Sequence, residues 1–228
     1  MAHLKEIVLD IESTGLDFKQ GDRIIEIGCI ELIDKIKTNN YFHTYLNPNK
    51  IISKGAYAVH GISNDFLKKK PVFSDIAESF YSFIKNATLV IHNAKFDIGF
   101  INNEFQLVGM QKLSISSVID TLKIARKKFP GSPVNLNALC RRFNISLDER
   151  SKHGALIDAE LLAIVYKELM CAEQTKFNFQ SNRADNNRST ITYDKFPKRT
   201  FKLSHNDSKL HNEMLQNISK PLWKSIIE

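Results

Sequence analysis

The chain has 228 residues, 43% of them hydrophobic and 25% charged, which suits a soluble, globular protein of one ordinary domain with a tail or of two very small domains, and speaks against a disordered or fibrous chain. Its most apolar stretch, Leu161 to Tyr166, is far too short to span a bilayer, so a membrane role is not expected. The net charge of +7 invites a nucleic-acid partner, but ten Lys/Arg against six Asp/Glu from Glu173 onward place +4 of it in the tail and leave +3 for the first 172 residues. Lys5 to Asp10 holds the apolar run Ile7-Val8-Leu9 and predicts a buried strand. Arg23 to Ile33 predicts a second strand, and Asn40 to Leu46 a third, ended by Asn47-Pro48; the short links suggest antiparallel neighbours. A helix is expected over Ser74 to Lys85, with Ile76, Phe80 and Phe83/Ile84 on one face and Ser74 as its cap. Leu89 to His92 predicts a short buried strand, and Phe96 to Leu107 a helix with Phe96, Phe100 and Leu107 on a stripe. Ser117 to Ile119 fits a last strand, and Asp120-Thr121 the cap of a helix ending before Pro130-Gly131. Asn135 to Phe143 and Gly154 to Cys171 complete the pattern, an α/β domain with a mixed sheet.

The three cysteines, Cys29, Cys140 and Cys171, are far apart, odd in number and without zinc-finger spacing. They fit reduced thiols in a cytoplasmic protein better than a disulfide framework. Met1 to Asp10 enters a strand at once, which leaves no room for a signal peptide.

Three acidic pieces carry the chemistry. Asp10 and Glu12 alternate with Ile11 along a strand and so project to one face. Two adjacent carboxylates repel unless a cation lies between them, and hard oxygen ligands suit Mg²⁺ or Mn²⁺. Asp97 falls in the first turn of a helix that follows a buried strand; it is either a favourable charge at a helix N-terminus or a site residue at a sheet end. Asp158 lies among Ala155, Leu156, Ile157, Ala159, Leu161 and Leu162, on a helix apolar nearly all round. A buried carboxylate there needs a partner, either an Arg or Lys or a metal. His153, five residues earlier, would point away from Asp158 on one regular helix. It is therefore expected in the preceding loop, with Gly154 supplying freedom, where a histidine suits a general base.

Taken together, Asp10-x-Glu12, Asp97 and His153-x4-Asp158 resemble the three motifs of the DEDDh family of 3′–5′ exonucleases. The likeness extends through Ile7 to Leu16, Arg23 to Gly28, Val59-His60-Gly61-Ile62, Val90 to Phe100 and His153 to Ala159. It covers roughly residues 4 to 172 and is nearest to the proofreading subunits of bacterial replicative DNA polymerases. The resemblance implies a ribonuclease-H-like exonuclease fold, a mixed central sheet flanked by helices, and an exonuclease domain at 1–172. It implies that Asp10, Glu12 and Asp158 hold two divalent cations, Mg²⁺ or Mn²⁺, with Asp97 completing the outer part of the site. One ion would activate water and the other steady the leaving 3′ oxygen, His153 would take the proton, and a nucleoside 5′-monophosphate would leave. Asp10, Glu12, Asp158, His60 and the backbone of Gly55, where relatives often carry an acid, would meet the 3′ end of the DNA; Thr14 and Gly15 would shape the loop that receives the terminal base.

Beyond the domain, 173–206 is expected to be a flexible linker, Ser181 to Thr190 being almost without apolar residues. Gln174, Phe177 and Phe179 resemble a sliding-clamp-binding motif, against the plainer reading of ordinary linker. In 207–228, Asp207 or Ser208 would cap a short helix whose face, Leu210, Met214 and Ile218, either folds back on the domain or docks on a partner, by position the polymerase catalytic subunit; Trp223 would be a good anchor. Two rivals stand beside the proofreading reading: a free-standing exonuclease of this family trimming RNA or DNA 3′ ends, and a non-catalytic nucleic-acid-binding module on the same fold.

Overall fold

The computed structural model describes residues 4–113, 117–148, 152–174 and 204–218. The chain divides into two compact units, Met1–Phe177 and Asn178–Glu228. The first unit is built on one five-stranded sheet, ordered β3-β2-β1-β4-β5. Strands β1 (Lys5–Ser13), β2 (Ile24–Ile33) and β3 (Ile36–Tyr45) form an antiparallel meander; β4 (Thr88–Ile91) and β5 (Val118–Asp120) run parallel to β1. β1 is thus paired along both edges at the centre of a mixed sheet, as its unbroken apolar run requires.

The two faces of β1 set the layers. Ile7, Leu9 and Ile11 point into a core with Phe73, Phe80, Phe100 and Phe105, supplied by helices α3 (Phe73–Ile84) and α4 (Ala94–Leu107). Truncating one of these buried rings to alanine would cost about 3–5 kcal/mol. On the other face Val8 packs with Ala159, Leu162 and Tyr166 of the long helix α7 (Ala155–Gln174). The Tyr166 hydroxyl donates to the buried Glu6 carboxylate at 2.6 Å. Glu6, Val8, Asp10 and Glu12 share that face by strand alternation, so anchoring the later turns of α7 over Glu6 and Val8 carries its first turn to Asp10 and Glu12. Helices α5 (Thr121–Lys128) and α6 (Leu136–Arg142) pack on α7 through Ala125, Leu139, Val165 and Leu169.

Several boundaries differ from the sequence reading for identifiable reasons. β1 continues past Asp10 to Ser13, with an irregularity between Glu12 and Ser13, so both acids lie within the strand. β3 begins at Ile36 rather than Asn40, because a two-residue turn closes the hairpin with Asp34 and Lys35 at φ 51° and 66°. Such turns are usually signalled by Asn-Gly, which is why the pair was not legible. Ser74 does not cap α3: Val72 precedes the helix, and its N–H donates to Asp75 at 3.1 Å. Leu107 is exposed; Phe105 takes the buried place, and the residue two further on points roughly 200° round the helix. Two helices went unpredicted, α1 (Lys54–His60) and α2 (Asn64–Leu67). α7 extends through Gln174, so the linker expected from 173 begins inside a helix.

In the second unit, α8 (His205–Gln216) starts at Ser204, whose hydroxyl accepts from the Asp207 N–H at 3.1 Å; neither Asp207 nor Ser208 is the cap. Leu210, Met214 and Ile218 are 55%, 51% and 43% exposed. Phe177, Phe179, Trp223 and the stretch 181–190 lie outside the described residues.

Candidate active site

Asp10, Glu12, Asp97, Asp158 and His153 line one open cavity of about 480 Å³ at the sheet edge where β1 and β4 end. Each arrives by a separate local device. Asp10 and Glu12 alternate outward on β1. β4 stops at Ile91, and Asn93, at φ 75°, turns the chain into α4 with Asp97 in its first turn; asparagine tolerates that left-handed conformation better than most residues. Asp97 is only 3% exposed, and its carboxylate accepts from its own N–H and from that of Ile11. α4 is itself fixed by Glu104, which takes a two-pronged hydrogen bond from Arg23 with both distances 2.7 Å.

Asp158, 4% exposed, occupies the first turn of α7. That turn lies close to β2 because residue 28 is glycine: a Cβ there would sit 2.3 Å from the carbonyl carbon of Ala155 and 2.4 Å from the nitrogen of Leu156, both backbone atoms that cannot swing aside. Gly28 pairs with Asp10 in the β1–β2 register, so the bare backbone lies beside the acid that Asp158 must approach. His153 stands in the loop before α7, its Nδ1 3.1 Å from Asp158 Oδ2. Its N–H donates to the Val59 carbonyl at 3.4 Å, which leans the loop on α1. Gly154 next to it has an ordinary negative-φ backbone, so the freedom expected of it is not used.

The electrostatics are those of crowded acids. Burial, then the charges of Asp97, Asp158, Glu12 and Glu26, raise the Asp10 carboxyl well above its ordinary value. Burial pushes Asp97 up to about 8, against the pull of its two backbone N–H donors. One oxygen each of Glu12 and Asp158 and one ring nitrogen of His153 lie within 4.8 Å of one another. Rich in oxygen and gathered on one open cavity, this donor set fits hard divalent cations. A measurable consequence follows from the sign of the shift. A carboxyl with a pKa of about 8 keeps its proton near neutrality, so a cation must displace it. Mg²⁺ binding is expected to release protons at about pH 7 and to tighten as the pH rises towards 8, then level off. Calorimetry in two buffers of different ionisation enthalpy measures the release; none at neutral pH contradicts the assignment.

The other expected substrate residues lie apart from this cavity wall. His60 is buried at the end of α1, its Nδ1 accepting from the Ile62 N–H at 3.0 Å. Burial holds its imidazole below the ordinary value, and Glu26, His153 and Lys152 are the charges that act on it. Gly55 is exposed in the first turn of α1, with open space where a side chain would stand. Thr14 and Gly15 belong to a loop tied by Asp22, which takes hydrogen bonds from the Thr14 hydroxyl and the Asp17 N–H. A Cβ on Gly15 would fall 2.3 Å from that carboxylate.

Glu26 was missed by the sequence reading. It faces Glu12 across the β1–β2 register, is buried, and places Oε1 2.8 Å from His43 Nε2. A lone acid inside the apolar run Ile24 to Ile30 was the available signal, since a buried carboxylate must find a partner.

Comparison with known proteins identifies the family. A family model described as Exonuclease matches residues 7–166. The chain is 45% identical over 230 aligned residues to the DNA polymerase III subunit epsilon of Rickettsia conorii, covering 98% of this chain and all of the relative. It is 44% identical to the same subunit of Buchnera aphidicola subsp. Schizaphis graminum, covering 92% and 95%. Among solved structures, the nuclease domain of 3′hExo, a DEDDh family member bound to rAMP, is similar with a TM-score of 0.63 at 18% identity, covering 75% of this chain and 93% of that one. Exonuclease X in complex with 5′ overhanging duplex DNA is similar with a TM-score of 0.59 at 24% identity, covering 74% and 93%. At those identities the structural likeness establishes the fold.

Proposed function

The chain belongs to the exonuclease family, in the branch of the DNA polymerase III epsilon subunits, and we propose that the cavity of Asp10, Glu12, Asp97, Asp158 and His153 is where it excises a mismatched 3′-terminal nucleotide from a DNA strand. The observation that carries this reading is the meeting of four acids from three distant segments of the chain with an imidazole in one cavity. Asp10, Glu12 and Asp158, with Asp97 outside them, would hold two divalent cations, Mg²⁺ or Mn²⁺. When bound, these supply charge stabilisation for the attacking and leaving oxygens of an in-line displacement. With its Nδ1–H donated to Asp158, His153 carries its basic lone pair on Nε2 and takes the proton of the attacking water. The P–O3′ bond breaks, the shortened strand keeps its 3′ hydroxyl, and a nucleoside 5′-monophosphate leaves. The His153 loop leans on the last turn of α1, and His60 there, with Gly55 at the start of the same helix, would receive the terminal nucleotide.

The exposed face of α8 supports docking of the 207–228 segment on another protein, which we propose is the polymerase catalytic subunit; the relatives are named as a subunit of DNA polymerase III. The glutamine and phenylalanines at 174, 177 and 179 are proposed to engage the sliding clamp on the strength of their spacing. Among the described residues no helix is long and apolar enough to cross a membrane, and Cys29, Cys140 and Cys171 are free thiols, which supports a cytoplasmic setting. The test is digestion of a 5′-labelled primer with a mismatched 3′ end. Stepwise shortening with Mg²⁺, stopped by EDTA and releasing mononucleotides, is expected. A strand that stays intact, or is cut internally, would overturn the reading.

A further inference from the structure

The catalytic cavity is longer than the acids need. Beyond Asp97 it continues along α5 and the start of α6, where Leu122, Val134 and Leu136 form an apolar floor and Arg126 contributes the cationic side chain. Arg126 is exposed in the last turn of α5. Among the described residues no carboxylate forms an ion pair with it, whereas its neighbours make other contacts: Lys123 reaches Asp120 at 3.9 Å and Lys128 bonds to the Leu169 carbonyl. The charge of Arg126 acts on His92, which follows β4 and lines the same cavity. Across the sheet edge the order is therefore α1 and the His153 loop beside β2, the acids on β1 and after β4, and Arg126 on the helix that follows β5.

That order gives the substrate a direction. If the terminal nucleotide lies towards α1 and the scissile phosphate over the acids, the strand behind it must leave along the α5 wall. Four carboxylates repel that polyanion, so a guanidinium on the exit side has a defined task. Its planar fork matches phosphate oxygens, and the apolar floor beside it suits the faces of unpaired bases. We propose that Arg126 is a substrate-positioning residue that holds a phosphate of the single strand upstream of the scissile bond. This rests on the exonuclease reading, and the test separates the two.

Full-length protein with Mg²⁺ is assayed on two probes: a single-stranded ten-residue oligodeoxynucleotide, and the p-nitrophenyl ester of thymidine 5′-monophosphate, which has a cleavable phosphodiester but no upstream phosphate. Arg126→Ala is expected to raise KM for the oligonucleotide about tenfold, the scale of a lost hydrogen bond to a charged group, with a much smaller change in kcat. The rise in KM for the ester should be at least about fivefold smaller than that. The log–log salt dependence on the oligonucleotide should become shallower by about 0.7, one phosphate contact on a single strand. Arg126→Lys should keep the salt slope and lose part of the affinity. An equal loss on both probes, or an unchanged salt slope, overturns the proposal. Wild-type protein silent on both probes would remove the exonuclease reading and this one with it.

Discussion

Asp10→Ala is expected to abolish cleavage, lowering turnover by roughly three orders of magnitude or more, the scale of several kcal/mol of lost charge stabilisation in the transition state. The same change should leave the metal-free protein no less stable. Asp10 is raised by burial and by four neighbouring acids, so its ionised form is a liability of the empty fold. The sign of the linkage is the reverse of a salt-bridged aspartate. With the folded pKa above the unfolded 3.8, the cost is absent below the unfolded value and grows as the pH rises through the folded one. Asp10→Asn, which keeps the shape, should therefore melt higher than wild type without divalent cations near neutral pH, and the gain should vanish in acid. Each kcal/mol corresponds to about 2–4 °C in a domain of this size. Normal Mg²⁺-dependent cleavage by Asp10→Ala would end the metal-site assignment. A large fall in melting temperature would instead trace the lost activity to misfolding.

For His153→Ala the expectation is a loss of about a hundredfold to ten-thousandfold in turnover, the range for a general base, with cation affinity retained. The geometry makes the second half informative. A ring nitrogen of His153 lies within 4.8 Å of a carboxylate oxygen of both Glu12 and Asp158, a position that suits a metal ligand as well as a base. Its hydrogen bond to Asp158 and its partly exposed ring, 42% accessible at the side chain, favour proton transfer over coordination. Titrating Mn²⁺ into the variant separates the roles. Unchanged affinity with lost turnover, and loss of the acid limb of the pH–rate profile, support the base. Near-normal turnover removes His153 from the mechanism, and a large fall in Mn²⁺ affinity makes it a ligand.

The strands and long helices were legible because their apolar runs are strong and regular, and the acids could be placed because each followed such a run. Contacts across distance were not legible. Nothing in the spacing of Arg23 and Glu104 announces their paired hydrogen bonds, and Asp22 looks like any loop acid until Thr14 and Gly15 close around it. Helix α1 escaped because it has no apolar stripe, its buried residue being His60. Its ends were nonetheless marked: Ser53 caps it by accepting from the Ala56 N–H, and Gly61 closes it at φ 71°. Gly28 was a similar missed sign, since a glycine inside a strand rich in β-branched residues often marks the close approach of another backbone.

Strand β1 has a hydrogen-bonded neighbour along each edge, while His153 hangs on a two-residue lead into α7. Amides of the central strand should therefore exchange with deuterium only when the whole domain opens, and those around residue 153 through small local excursions. The cation cradle and the proton acceptor would then belong to parts of differing rigidity: warming would undock the imidazole well before the acids lose their arrangement, and cooling would return it to an intact cradle.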